Sequence, residues 1–432
     1  MTLESRENPS VGIVGLGYVG VTLAAAMALK GFEVHGADLQ PAVLDSLRRG
    51  KPHLFEPGVE DVFARCVDRN LFVAEELPEK LDAAIISVST PVNPVTHEPD
   101  LRNLAAAAET VAKRCAPDTL VVVRSTVPVG TSRAVVLPAL LAEWGSAHLV
   151  MAPERTIQGQ ALRELVELPQ VIGGLDAESL DRGVRLFSRL CKQVVPVSSL
   201  ETAELVKLGN NCHTDLIYAF GNEIAMLTER FGLDPLEVIR ATNLDYPRPD
   251  LAKPGYVGGG CLSKDPYIML SSAGRNSQAP GLVRAARTLN EQLPVHVAER
   301  VAAMMGGAGR LAVLGWAYKG SPPTDDMRGT PIAAMMPVFE AAGIRVLGHD
   351  PLVRDDVIRA YGGDPVGLGT AFGSADAVLV ITDHAEYRDL DIAALLAGSP
   401  VRLVYDSWRI LDAAAILSRG IRYAGIGYEA AA

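Results

Sequence analysis

The sequence is poor in the residues that build metal sites and disulfide frameworks. Only five cysteines occur among 432 residues, and no two of them form a C-x-x-C pair. An odd number of widely spaced cysteines in a long chain argues against both a zinc site and a disulfide framework. We therefore expect no metal, free thiols, and a reducing cytoplasm as the location.

Positive charge is also scarce. The chain has 40 Lys and Arg against 51 Asp and Glu, a formal net charge of -11. Nucleic acids and anionic membranes bind clusters of positive charge, so neither is expected as the main partner. The start MTLESRENPS lacks a basic segment leading into an apolar core, so no secretory signal is expected. The uncharged run 11–29 holds four glycines and changes period midway, which favours a strand–turn–helix over a membrane span.

Hydrophobic residues make up 48% of the chain, enough for large packed cores. Continuous rather than alternating apolar runs indicate strands buried on both faces, as in parallel sheets covered by helices. Such runs occupy residues 11–17, 32–38, 81–90, 119–126 and 148–154, and again 310–318, 344–351, 376–383 and 401–408. Long helical patterns lie between the two series, from residue 201 to about residue 299. The pattern predicts an α/β fold of two Rossmann-like doubly wound domains, 1–200 and 303–432, joined by a central helical domain, 201–302.

The motif GLGYVG spans Gly15 to Gly20, after the first predicted strand and at the start of a helix. It fits the dinucleotide fingerprint G-x-G-x-x-G, with Tyr18 and Val19 between the second and third glycines. Asp38 ends the next predicted strand 18 residues after Gly20, where a carboxylate can bind the ribose hydroxyls. No arginine follows it, which favours NAD over NADP. The alternative is that Asp38 is an ordinary turn residue.

Two threonines follow later predicted strands. Thr90 lies in VSTPVN and Thr126 in RSTVPVGTS, beyond strand ends, where open α/β sheets bind their ligands. Both are candidates to face the cofactor. Their alternative role is that of ordinary turn hydroxyls.

The segment YVGGGCLSKD, from Tyr256 to Asp265, places Cys261 after three glycines. A helix N-terminus and the nearby Lys264 would stabilise a thiolate, although cysteines more often fill cores. A reactive thiol together with NAD suggests that an aldehyde is captured as a hemithioacetal, loses hydride, and leaves as a hydrolysed thioester. In this interpretation the glycines let the chain pass close beneath the substrate.

Six motifs, in order along nearly the whole chain, resemble the UDP-glucose/GDP-mannose dehydrogenase family. They are GLGYVG, STVPVG, APE, ELVKLGNN, GGGCLSKD and TDDMRGTP. The resemblance implies NAD-dependent, four-electron oxidation of the C6 hydroxyl of a nucleotide sugar to a carboxylate. It also implies a cytoplasmic homodimer, built through the central helices, that acts in polysaccharide or glycoside biosynthesis.

The resemblance also implies residue roles. Cys261 resembles the nucleophile, Lys207 and Asn211 the pair that stabilises the oxyanion, and Asp265 the residue that positions or activates water. Glu154 and Thr126 resemble partners of the catalytic water and the cofactor, and Arg328 a cofactor contact. The substrate contacts implied are Glu154, Lys207, Asn211, Arg248, Tyr256, Gly258, Gly259, Gly260, Tyr318 and Lys319.

The substrate signals conflict. A lysine after the cysteine, in GGGCLSKD, favours a UDP- or TDP-glucose type of hexose, which is the leading expectation. The alternative is a UDP-N-acetylhexosamine, favoured by PERTIQG, where Gln158 stands in place of a glutamate common in the family. A two-electron hydroxyacid dehydrogenase is an alternative from another class and would need no cysteine. A non-catalytic nucleotide-sugar sensor would have no use for a nucleophile.

Overall fold

The structure, a computed structural model, describes residues 8–245, 247, 250–273 and 280–430. They form two compact units. The first runs to Asn210 and takes in the segment that starts at Tyr267; the second runs from Asn211 to Pro266 and resumes at Pro280. The division into three domains at residues 200 and 302 stays a prediction.

The first unit is built on an eight-stranded sheet with the order β3-β2-β1-β4-β5-β6-β7-β8. Neighbouring strands run parallel except at the β6–β7 pair. The strands are β1 Ser10–Val14, β2 Glu33–Ala37, β3 Leu71–Ala74, β4 Ala83–Ile86, β5 Leu120–Val123, β6 His148–Met151, β7 Gln170–Gly174 and β8 Val194–Val197. The order reverses between β1 and β4, where doubly wound sheets bind ligands.

The helices of this unit cover the sheet. They are α1 Tyr18–Leu29, α2 Pro41–Arg48, α3 Val59–Cys66, α4 Arg102–Arg114, α5 Leu137–Trp144, α6 Ala161–Glu167 and α7 Ala177–Ser188, with a π-helical turn at Ser132–Val136. Helix α8, Leu200–Phe231, begins in the first unit and continues into the second. Helix α11, Asp265–Ser272, begins in the second and ends in the first.

The second unit contains a seven-stranded sheet with the order β11-β10-β9-β12-β13-β14-β15, parallel except for the last pair. Its strands are β9 Gly309–Leu314, β10 Ile344–His349, β11 Asp364–Pro365, β12 Ala377–Val380, β13 Leu403–Asp406, β14 Arg422–Gly425 and β15 Tyr428–Glu429. Its other helices are α9 Pro235–Asn243, α10 Gly259–Leu262, α12 Gly281–Met305, α13 Ile332–Ala341, α14 Asp355–Ala360, α15 Leu368–Ser374, α16 Ala385–Arg388, α17 Ile392–Leu395 and α18 Ala413–Leu417.

The predicted fold class is confirmed. Each of the nine predicted apolar runs contains a strand, and β4, β5 and β12 are buried along their whole length. Sequence reasoning missed the inner strands β7 and β14 and the edge strands β3, β8, β11 and β15. Of these, β3 and β8 form the two edges of the first sheet and are partly exposed. Edge strands bury less apolar surface, so their sequences carry a weaker hydrophobic signal.

Two kinds of feature are absent from the residues that the structure describes. No helix there is long and apolar enough to cross a membrane. No group of three or more His, Cys, Asp or Glu side chains in the same part of the chain is arranged to hold a metal ion.

Candidate active site

The turn between β1 and α1 has the shape that a dinucleotide needs. Gly15 adopts a φ of +90° and donates its N–H to the carbonyl of Ala37 at 2.8 Å. A Cβ on Gly20 would lie 1.9 Å from the carbonyl oxygen of Gly15, so the helix packs too closely on the turn for any side chain. A Cβ on Gly17, in contrast, would meet no atom within 4 Å. The backbone is therefore open at Gly17, directly before the N-terminus of α1, which suits a pyrophosphate.

Asp38 follows β2 and faces this turn. Its Oδ2 accepts the N–H of Leu16 at 2.8 Å, and its Oδ1 accepts the N–H of Gln40 at 2.9 Å. The side chain is only half-buried, and each carboxylate oxygen keeps a further lone pair. The residue both holds the glycine turn and keeps acceptors for ribose hydroxyls, so this chain's residues fit a dinucleotide.

A buried glutamate that sequence reasoning missed ties the turn to the PERTIQG segment. Glu56 accepts the hydroxyl of Tyr18 at 2.5 Å and the backbone N–H groups of Gly159 and Ala161, each at 2.7 Å. Burial and the Glu56 carboxylate raise the pKa of Tyr18, so its hydroxyl stays protonated. Tyr18, predicted to contact the cofactor, thus uses its hydroxyl within the protein.

The two candidate threonines contact each other. The hydroxyl of Thr90 donates to the carbonyl of Thr126 at 2.6 Å, and Thr90 is buried. This bond joins the loops that follow β4 and β5. The side chain of Thr126 is only half-buried. Contact of either threonine with the cofactor stays a prediction.

Glu154 and Lys207 form a nearly buried ion pair in the first unit. The Nζ of Lys207 lies 3.8 Å from the Oε2 of Glu154, and the two residues are 4% and 8% exposed. The other oxygen of Glu154 accepts the N–H of Thr156. Burial makes the pair sensitive to loss of either partner, because the remaining charge would be uncompensated.

The same helix carries a second buried glutamate that sequence reasoning missed. Glu204 lies three residues before Lys207 and accepts the N–H groups of Gly130 and Ser132, at 2.5 and 2.8 Å. Burial raises its pKa, against the opposing effect of those hydrogen bonds. It fixes the loop of Thr126 to the helix of Lys207. The motif ELVKLGNN contained this residue, but only its hydrogen bonds reveal the role.

In the second unit, Asn211 and Lys264 converge on Asp265. The amide of Asn211 donates to Oδ2 at 2.5 Å, and the Nζ of Lys264 lies 2.8 Å from Oδ1. Asp265 is completely buried. Both carboxylate oxygens are thus hydrogen-bonded, so the polar atoms of this buried side chain have partners.

The glycines before Cys261 are required by the protein itself. A Cβ on Gly258 would lie 2.0 Å from the carbonyl oxygen of Gly329, and one on Gly259 would lie 2.7 Å from the ring of Tyr318. Gly259 also has a φ of +89°. A Cβ on Gly260 would lie 2.6 Å from the guanidinium of Arg328. The segment around 318–329 therefore requires glycine at these positions, and contact of the three glycines with the substrate stays a prediction.

Cys261 is the one exposed cysteine among the five. Cys261 interacts electrostatically with Arg328. The pKa of Arg328 is raised, chiefly by its hydrogen bond to Asp326 and in smaller part by Cys261. The Nη2 of Arg328 lies 2.6 Å from the Oδ2 of Asp326. Arg328, predicted as a cofactor contact, is thus placed next to the cysteine segment.

The remaining candidate site residues lie in different surroundings. Tyr256 is buried, and its hydroxyl lies 2.8 Å from the Oγ of Ser407, so its side chain packs in the core; its contact with the substrate stays a prediction. The ammonium of Lys319 lies 5.5 Å from the ring centroid of Tyr318. Gln158 lies in the turn before α6 and is half-buried. Arg248 lies outside the described residues.

Three family models match the chain in the order of its parts. The NAD-binding domain model of the UDP-glucose/GDP-mannose dehydrogenase family matches residues 9–191, the central domain model residues 201–292, and the UDP-binding domain model residues 312–413. The chain belongs to the UDP-glucose/GDP-mannose dehydrogenase family. It is therefore an NAD-dependent nucleotide-sugar dehydrogenase, and NAD is the cofactor that its glycine turn fits.

Relatives of known name cover most of the chain. A UDP-N-acetyl-D-mannosamine dehydrogenase of Pyrococcus horikoshii is 31% identical over 96% of this chain and 99% of its own length. An NDP-N-acetyl-D-galactosaminuronic acid dehydrogenase of Ralstonia nicotianae is 30% identical over 88% of this chain and 92% of its own. The solved structure of a UDP-glucose dehydrogenase from Pyrobaculum islandicum has a TM-score of 0.84 at 27% identity, covering 99% of this chain and 100% of that one.

Proposed function

We propose that this family member oxidises the C6 hydroxyl of a UDP-N-acetylhexosamine to the carboxylate. The observation that carries the proposal is the chain-long similarity to relatives named for N-acetylated sugars. It replaces the glucose-type substrate that GGGCLSKD favoured. The nucleotide part is supported by the match to a UDP-binding domain.

The segment PERTIQG supports the same choice. Its Arg155 donates from Nε to the Oδ1 of Asn210 at 3.0 Å, and from Nη1 to the carbonyl of Pro169 at 3.2 Å. Glu56 holds the far end of the segment through Gly159 and Ala161. A segment fixed at both ends presents its polar groups without further loss of entropy, and such preorganised donors discriminate between polar substituents.

Each residue of the candidate site has its own role in the proposed reaction. When bound, NAD accepts the hydride in each of the two oxidations. Cys261 attacks the aldehyde carbon and forms the hemithioacetal, and after the second oxidation the thioester is hydrolysed. Lys207 and Asn211 stabilise the oxyanion that arises at both additions to the carbonyl. Asp265, held by Asn211 and Lys264, positions the water. Glu154 positions the ammonium group of Lys207 through their ion pair.

We also propose a homodimer formed through the central helices. Helix α8 exposes large apolar side chains in the second unit, among them Phe220, Leu227 and Phe231, which are 48%, 51% and 70% exposed. Clustered exposed apolar residues are typical of protein–protein contact surfaces. A cytoplasmic location and the division of labour among three domains belong to the same proposal.

The experiment is a substrate panel. Purified protein is given NAD with UDP-N-acetylmannosamine, UDP-N-acetylglucosamine, UDP-N-acetylgalactosamine, UDP-glucose, TDP-glucose and GDP-mannose, and NADH is counted per sugar consumed. We expect two NADH per sugar and a kcat/KM for one N-acetylated sugar on the order of 100-fold above that for UDP-glucose.

The control is the same panel with NADP in place of NAD, which Asp38 should disfavour because its carboxylate repels a 2′-phosphate. A preference for UDP- or TDP-glucose would overturn the N-acetyl assignment and restore the first expectation. One NADH per sugar would overturn the four-electron reaction.

A further inference from the structure

A buried arginine on helix α12 contacts the loop that carries Cys261. Arg287, on α12, is 2% exposed. Its Nη1 donates to the carbonyl of Leu262 at 2.8 Å, and its Nη2 lies 3.4 Å from the carbonyl of Val257. These two carbonyls flank the glycines and the cysteine. One guanidinium therefore spans the base of the nucleophile loop.

A carboxylate and an amide fix the guanidinium in turn. The Oδ1 of Asp215, on α8, accepts from the Nη1 of Arg287 at 2.9 Å. The Nδ2 of Asn290, one helical turn from Arg287, lies 2.9 Å from the carbonyl of Asp215 and 3.0 Å from its Oδ1. Both Asp215 and Asn290 are 1% exposed.

The network continues to the start of the same loop. The amide of Asn222, which is fully buried, accepts the N–H of Gly255 at 2.8 Å and donates to the carbonyl of Gly255 at 3.0 Å. It also donates to the Oδ1 of Asn290 at 2.9 Å. The loop is thus anchored at Gly255, Val257 and Leu262 by side chains from two helices.

Stability alone does not account for such a network. A buried ion pair replaced by apolar side chains of similar volume often leaves a protein as stable or more stable. Glycine restricts its own backbone least of all residues, so three consecutive glycines depend on contacts with the rest of the chain to hold one conformation. A fixed anchor on each side of them restricts where the sulfur of Cys261 can go.

We propose that Arg287 is a positioning residue that holds the sulfur of Cys261 for attack on the aldehyde. This inference rests on the proposed function. Removal of the first hydride from the alcohol needs no sulfur. The next step does: the sulfur bonds to the aldehyde carbon, and the carbonyl oxygen takes up a proton. Loss of the second hydride, for which a second NAD is the oxidant, and of the hydroxyl proton gives the thioester, and water then displaces the sulfur to release the carboxylate and the thiol. A displaced sulfur lets the aldehyde escape after one oxidation.

Two variants test the proposal. Arg287→Lys keeps the charge opposite Asp215, but its single nitrogen cannot span both carbonyls. The double variant Arg287→Met with Asp215→Leu removes both charges and leaves none unpaired in the core. The matched control is Arg284→Lys, an exposed arginine on the same helix.

The first measurement is hydrogen–deuterium exchange, which needs no substrate. We expect the peptide covering residues 256–264 to exchange about tenfold faster in both variants. Without the hydrogen bonds of Arg287, this segment can open locally at a lower cost in free energy. Peptides from β9 and β12 should exchange as in the wild type. Unchanged exchange in 256–264, or an equal rise throughout the chain, would overturn the proposal.

The second measurement is turnover with the nucleotide sugar that the wild type oxidises. We expect kcat to fall about 100-fold, since a misplacement near 1 Å is enough for such a loss, while the KM for NAD stays near the wild-type value. NADH per sugar should fall from two toward one, with free aldehyde trapped by hydroxylamine. Two NADH per sugar at the wild-type rate would overturn the proposal. If the wild type oxidises no nucleotide sugar, the proposed function fails, and the exchange measurement still decides the role of Arg287.

Discussion

At the scale of single residues, exposure separates Cys261 from the other cysteines. Cys115, Cys191 and Cys212 are buried, and Cys66 is partly buried. Burial raises the pKa of Cys115 to about 11, and burial with the nearby Asp265 raises that of Cys212 to about 12. These thiols stay protonated at neutral pH and are poor nucleophiles. Only Cys261 combines exposure with a neighbouring cationic charge, that of Arg328.

Replacement of this residue gives the first prediction. Cys261→Ala should lower carboxylate formation by about a thousandfold or more, because no other group can form the covalent intermediate. The measurement is carboxylate produced from the preferred nucleotide sugar under saturating NAD. Cys66→Ala is the matched control and should retain full activity. Carboxylate formation by Cys261→Ala at the wild-type rate would contradict the covalent mechanism.

At the scale of elements, the glycine motif of the β1–α1 turn contains three glycines with three different tasks. Gly15 supplies a positive φ, Gly20 permits close packing, and Gly17 leaves open space. Sequence reasoning recognised the motif as one unit. The contacts separate its members, because only they show which position faces protein and which faces empty space.

This separation predicts opposite outcomes for two similar substitutions. Gly20→Ala should destabilise the protein by about 1–3 kcal/mol, because the new methyl group meets the backbone at Gly15. Gly17→Ala should cost about 1 kcal/mol or less in stability, the loss of a favourable N-cap residue, but should raise the KM for NAD at least tenfold, on the order of 1.4 kcal/mol of lost binding. Urea unfolding and steady-state kinetics measure the two effects. A stable Gly20→Ala together with an unaltered KM in Gly17→Ala would refute the assignment.

At the scale of the whole molecule, a similar glycine-containing turn follows the first strand of each sheet. GLGYVG after β1 corresponds to GWAYKG after β9. The N–H of Gly15 donates to Ala37 at 2.8 Å, and the N–H of Gly315 donates to His349 at the same distance. Asp38 accepts the N–H of Leu16, and Asp350 accepts that of Trp316. The two sheets of the predicted Rossmann-like fold thus share individual hydrogen bonds at this turn.

The second turn has lost the features that suit a dinucleotide. No helix starts directly after GWAYKG; α13 begins only at Ile332, and the intervening residues supply Arg328 and Gly329 to the cysteine segment. The side chain of Asp350 is completely buried, and it accepts from His384 and from the backbone N–H groups of residues 316, 317, 352 and 353. It therefore has no free acceptor for a ribose, whereas Asp38 keeps two.

The pKa of Asp350 predicts how the free energy of unfolding depends on pH in the acid range. Burial raises its pKa, but the hydrogen bond and charge of His384 and the backbone donors more than offset this, so that the pKa falls from 3.8 to about 2. A carboxyl whose pKa is lower in the folded state adds stability above its unfolded pKa and loses it as the pH falls through the folded value. Asp350→Asn should thus cost about 2 kcal/mol at pH 7, and this difference should shrink between pH 4 and pH 2.

Urea unfolding of wild type and variant at several pH values measures this difference. Asp356→Asn is the control, because that carboxylate is exposed and solvent screens its ion pair with the exposed Arg354. A destabilisation by Asp350→Asn that stays constant from pH 7 to pH 3 would show that its cause is packing and not charge.

The amino-acid sequence by itself determined the fold class, the cofactor and the reaction class. Continuous apolar strands such as LVVV of β5 and local motifs such as GLGYVG are short-range signals, and each is complete within a few residues. Motif order along the chain then identified the family. The substrate was the exception, because the signals in GGGCLSKD and PERTIQG conflicted until the relatives favoured the N-acetyl alternative.

Only the tertiary structure decided why the glycines precede Cys261 and what holds that loop. Gly260 meets Arg328, and Arg287 meets Val257 and Leu262, across separations in the chain that no periodicity encodes. Glu56 shows the same limit, since nothing local in the sequence distinguishes this buried glutamate, which binds Tyr18, Gly159 and Ala161, from an exposed one. Hydrogen bonds between distant residues depend on how the elements pack, and a sequence read locally carries no record of that packing.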